Sequence, residues 1–154
     1  MGLFAQIENG SELFRDRNFN IDLYETESTI TYLYEALWRI SCKYKFKFQE
    51  NQIEGLEKST AHELQAEGKF ASAKKGISVK ASFSWVLLDF KGNFNTPVQF
   101  AMTQALLNGN NFLWTFQFEK NLSKNIQLSL SYEGRKTGEA EVVHVGRAQI
   151  RAIF

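Results

Sequence analysis

No stretch of about 18 consecutive apolar residues occurs in the 154-residue chain, which excludes a transmembrane helix. It does not exclude a transmembrane β-barrel, whose strands carry a far weaker signal. The first eight residues lack a basic region followed by an apolar stretch, so they form no secretory signal. An exported protein that begins this way is expected to be a truncated form. Gln6 stands where an N-myristoylation motif wants Ser or Thr, which removes Gly2 as a lipid acceptor. Cys42 is the only cysteine and has no internal disulfide partner. Two distant histidines and one cysteine make no metal site, and no cofactor is expected. A formal net charge of +1 leaves no basic footprint for nucleic acid. Proline occurs once, at Pro97, and 14% of the residues are aromatic, a composition that suits long strands.

What the chain does have is period 2. Trp38, Ile40, Cys42, Tyr44, Phe46 and Phe48 alternate with Arg39, Ser41, Lys43, Lys45, Lys47 and Gln49, as the two faces of a strand do. Ile77, Val79, Ala81, Phe83, Trp85 and Leu87 repeat the pattern, as do Phe112, Trp114, Phe116 and Phe118, and then Ile126, Leu128, Leu130 and Tyr132. The segment from His62 to Phe70 alternates too, although its Glu, Gln and Ala residues would also suit a helix. Val98 to Leu107 is ambiguous between strand and helix. Apolar parity changes between Ile21/Leu23 and Ile30/Tyr32/Tyr34, which predicts a turn or bulge over residues 25–28. The final segment sets Ala148, Ile150, Ala152 and Phe154 on one face and Arg147, Gln149 and Arg151 on the other. A final strand of this kind, closing on Phe, resembles the closing strand of bacterial outer-membrane β-barrels.

These segments predict an all-β, antiparallel up-and-down (meander) β-barrel, or the C-terminal part of one, with about six to eight long strands. Residues 1–17 are expected to be irregular and 18–154 to form the barrel domain. Connections alternate between long and short, as the extracellular loops and periplasmic turns of such barrels do. Trp38, Trp85, Trp114 and Tyr132 are then candidates for aromatic girdles, Trp38 at the periplasmic side and Trp85 and Trp114 at strand ends opposite. The lumen would carry Arg39, Lys43, Lys45, Lys47, Glu63, Glu67, Lys69, Lys80, Glu119, Glu133, Arg135, Arg147 and Arg151. In an eight-stranded barrel they would fill the interior; in a larger one they would line a channel or contact a plug.

An enzyme is not expected. His62 and His144 share parity with Leu64 and Ile150, which puts both on the apolar face unless Gly146 marks a bulge, and with three Asp in all (Asp16, Asp22 and Asp89) there is little to orient a base. A soluble up-and-down barrel with its apolar face inward, binding a hydrophobic small molecule as lipocalins do, is the alternative.

Asn111 to Trp114, Gln127 to Gly138 (QLSLSYEGRKTG) and His144 to Phe154 (HVGRAQIRAIF) resemble the C-terminal segment of large, poorly characterised outer-membrane and cell-envelope proteins of Bacteroidetes. The likeness extends back through Trp38-Arg39-Ile40 and covers roughly residues 30–154. It implies that the chain is the end of a longer barrel protein in the bacterial outer membrane. Outer-membrane lipid, the barrel-assembly machinery and the missing N-terminal strands would be its partners, in a structural, anchoring or transport role. The resemblance brings no catalytic or ligand residues.

Overall fold

The computed structural model describes residues 2–9, 19–35, 37–53 and 57–152, with side chains from Asn20 onward. Among these residues eight strands follow one another as a meander: β1 (Gly2–Asn9), β2 (Phe19–Tyr34), β3 (Trp38–Asn51), β4 (Lys58–Ser72), β5 (Ile77–Lys91), β6 (Gly109–Asn121), β7 (Ile126–Thr137) and β8 (Val143–Ala152). One short helix, α1 (Pro97–Thr103), lies between β5 and β6. Every strand is antiparallel to its neighbour in sequence, in the order β1 to β8. Among the described residues β1 pairs only with β2 and β8 only with β7. The sheet is therefore open, the form that a segment of a barrel takes.

Connections at one end are tight: residues 35–37, 73–76 and 122–125. Gly76 at φ +58° closes the second of these turns, a conformation that costs a side-chain-bearing residue but not glycine. The longer connections 92–108 and 138–142 lie at the other end. The alternation expected from the sequence is present.

Three local expectations are corrected. Residues 2–9, expected to be irregular, form β1 and pair with β2 from Gly2↔Thr26 to Asn9↔Phe19. Residues 25–28 hold neither turn nor bulge, because β2 pairs with β3 without a skipped residue from Ile21↔Asn51 to Tyr34↔Trp38. The parity change has another cause: near the long-loop end the inner face itself becomes apolar, so Ile21 points inward while Ile30 is 78% exposed on the outside. β5 does not stop near Leu87 but continues to Lys91, with Val86, Leu88 and Phe90 buried on the inner side.

Val98 to Leu107, ambiguous between strand and helix in the sequence, contributes a helix and no strand. Thr96 is its N-cap, with Oγ1 accepting from the Gln99 amide at 3.2 Å, and Pro97 occupies the first turn, where its missing N–H costs nothing. Gln104 ends the helix in the left-handed region at φ 54°. Val98 and Met102, one turn apart, pack with Ile21 and Phe90 in the buried apolar cluster.

Candidate functional site

The two faces of the sheet differ in kind. Inward from β2 to β5 lie Glu25, Glu27, Arg39, Lys43, Lys45, Lys47, Glu63, Glu67 and Lys80, brought into adjacent columns by the register. Basic β3 stands between acidic positions on β2 and β4. Lys43 Nζ meets Glu27 at 3.2 Å, Lys45 meets Glu25 at 3.0 Å and Lys80 meets Glu67 at 3.1 Å, each pair set diagonally across two strands. These groups are solvated, so each pair contributes at most about 1 kcal/mol. A cavity of about 200 Å³ opens on this face between Thr29, Arg39, Ser41, Lys43, Gln65 and Glu67. Ser82 and Thr115 join their hydroxyls at 2.7 Å further along.

Helix α1 folds onto the same face at the long-loop end. Met102, Thr103, Gln104 and Leu106 line a small cavity together with Lys45, Lys47, Ala61 and Glu63, so the loop reaches well down the polar wall. Two asparagines hold it there. Asn108 Oδ1 accepts from the Phe90 amide at 2.8 Å while its Nδ2 donates to the Phe90 carbonyl at 2.9 Å, reproducing with a side chain the bonds of a neighbouring strand. Asn111, fully buried, donates to the carbonyls of Leu107 (2.7 Å), Gly109 (3.1 Å) and Val86 (3.4 Å), and its Oδ1 accepts from the Leu107 amide. Sequence reasoning missed this device. The Thr96-Pro97 start signal could have found the helix, but nothing local identifies Asn108 and Asn111 as its clamps.

The opposite face is apolar and exposed: Tyr32, Tyr34, Trp38, Ile40, Tyr44, Leu64, Phe83, Phe116 and Tyr132 all present large surfaces outward. Charge marks its limits. Lys120 stands on this face at the short-turn end; Asp22, Glu50, Lys58, Asp89 and Lys91 stand on it at the long-loop end. There Lys58 pairs with Glu50 at 2.8 Å, and Gln52 donates to Asp22 at 2.7 Å. Along β5 the outward positions from Ile77 to Leu87 carry no charge, a span of about 33 Å at the usual strand rise.

Of the girdle candidates, Trp38 opens β3 beside Tyr34 and packs on Phe70 at a centroid distance of 4.7 Å, at the short-turn end as expected. Trp85 and Trp114 are not at strand ends: β5 continues through residues 86–91, and β6 begins with residues 109–113. Trp85 Nε1 donates to Asn110 Oδ1 at 2.9 Å, and Trp114 lies over Gly134. Tyr132 lies within β7. Both histidines face outward. The Tyr44 hydroxyl and His62 Nδ1 are 2.8 Å apart, and the Tyr132 hydroxyl and His144 Nδ1 are also 2.8 Å apart, the latter rings nearly parallel at 12°. Each hydrogen bond satisfies polar atoms on an otherwise apolar surface.

The remaining inward candidates are spread along the sheet. Glu119 is exposed on β6, Glu133 on β7, and Arg147 and Arg151 on β8, and none of the four forms an ion pair among the described residues. Ala148, Ile150 and Ala152 of the closing strand face outward opposite Leu130, Leu128 and Ile126; Phe154 lies outside the described residues. Among the described residues no group of three His, Cys, Asp or Glu side chains has the arrangement of a metal site. Compared with known proteins, the chain matches no family model, no curated sequence and no solved structure.

Proposed function

We propose that the chain is an outer-membrane β-barrel protein, or the C-terminal part of one, with a structural, anchoring or transport role and no catalysis. The observation that carries this reading is the charge-free outward band. Strands in such barrels tilt by about 40°, and a tilt of that size reduces the span of about 33 Å to about 25 Å, the height of the lipid-facing band of an outer-membrane barrel. Soluble monomers rarely leave contiguous apolar patches larger than a few hundred Å² uncovered, and here large apolar side chains are exposed on strand after strand of this face. Outer-membrane lipid covers the band in this account, and the barrel-assembly machinery receives the strand that ends the sheet. The loop asymmetry agrees, with the tight turns periplasmic and α1 on the extracellular side.

Against the lipocalin-like alternative weighs the direction of the rings. A soluble barrel of that kind turns its aromatic face toward the cavity, whereas here the cavities between β2 and β5 are bordered by lysine, arginine and glutamate. Purification with and without detergent tests the reading. The expected result is a folded, monodisperse chain only in detergent or lipid; a folded, monodisperse chain in plain buffer would overturn it.

A further inference from the structure

We infer that the free edge of β8 receives a further antiparallel strand from outside these 154 residues, apolar on its outward positions and carrying Asp or Glu on its inward ones. The inference rests on the barrel reading and adds the chemistry of the partner. Its first support is the width of the interior. An eight-stranded barrel has an interior that its own side chains fill or that holds one small ligand, whereas α1 with its side chains is about 10–12 Å across. Because α1 is seated on the polar face against Ile21 and Phe90 and beside Lys45, Lys47 and Glu63, a sheet closed by β8 on β1 would have to enclose the helix together with those charged side chains.

The second support is charge. On β2 to β4 the polar face alternates acidic, basic, acidic, and the lysines of β3 find carboxylates on β2. β8 is a basic strand without that complement. Across from Arg147 stands Ser131, across from Arg151 stands Gln127, and Glu133 is opposite Val145. Neither arginine has an ion-pair partner among the described residues, and β8 is exposed along its whole length.

Occupants made of this chain fit poorly. The β1 residues in register with Glu25, Leu23 and Ile21 are Leu3, Ala5 and Ile7, none of them acidic. Pairing β8 with the β1 of a second copy therefore leaves the arginines uncompensated, and pairing two copies of β8 sets arginine strands side by side, which is repulsive. A strand alternating apolar and acidic residues satisfies the backbone edge and the charge together.

The probe is a fluorescent ten-residue peptide alternating Leu and Glu, compared with its Leu/Lys counterpart, both titrated into the full chain in detergent micelles. The Leu/Glu peptide is expected to bind at least tenfold more tightly and to slow hydrogen exchange of the β8 amides. Arg147→Glu with Arg151→Glu should reverse the preference. Lys74→Glu with Lys75→Glu, in the turn at 73–76, should leave it unchanged and so separates edge recognition from general attraction to a basic chain. Equal affinities, a preference that survives reversal at 147 and 151, or a native mass of two copies with neither peptide bound would each overturn the inference. Folding in plain buffer is a separate result, which would overturn the barrel reading itself.

Discussion

Trp114 and Gly134 face each other across β6 and β7, and the indole occupies the space where a side chain at 134 would begin. A Cβ built on Gly134 would collide with Trp114 Cε2. The glycine is thus required by a close approach. Its backbone is covered by the ring, and His144 approaches the same indole at a centroid distance of 6.0 Å. Gly134→Ala should force the ring off its seat and cost about 1–3 kcal/mol, the usual penalty of overpacking. Urea unfolding in detergent, followed by tryptophan fluorescence, should show a lower midpoint and an altered native spectrum.

Asn111 supports the long loop from beneath. Asn111→Ala removes donors to Leu107, Gly109 and Val86 in a fully buried position. The expected loss is about 1–3 kcal/mol for the unsatisfied carbonyls. Hydrogen exchange should accelerate at the helical amides of α1 and remain slow in β3 and β4, since the clamp fastens the loop and not the wall.

The two faces should respond oppositely to charge. Phe46→Arg places a cation in the apolar band, with a depth-dependent cost of up to about 2–4 kcal/mol in lipid. Lys45→Ser, one residue away, loses only the partly exposed pair with Glu25, worth at most about 1 kcal/mol. Equilibrium unfolding from lipid vesicles measures both, and a larger loss for Lys45→Ser would contradict the assignment of faces.

Period 2 made most of the sheet legible. The outward faces of β3, β5, β6 and β7 were readable because polar residues alternate strictly with apolar ones, and no helix tolerates that pattern on one stripe. The pairing partners followed from the meander. What period 2 concealed was the end of the sheet beneath α1. There Ile21, Val86, Leu88 and Phe90 are apolar on the inner side because a helix covers them, so the alternation fades and strands seem to stop or turn over. Trp85 and Trp114 looked like strand ends for the same reason. The inward positions of Arg39, Lys43, Lys45, Lys47, Glu63 and Glu67 were readable residue by residue, whereas their diagonal pairings depend on the register and on side-chain lean, which no single strand reveals.

The direction of the faces relative to lipid is the central claim, and site-directed spin labels in lipid vesicles test it most directly. Labels at positions 46, 83 and 116 should collide with oxygen dissolved in the bilayer and be shielded from a water-soluble nickel reagent. Labels at 45, 82 and 117 should show the reverse. Lipid contact for the second set, or water contact for both, would contradict the account.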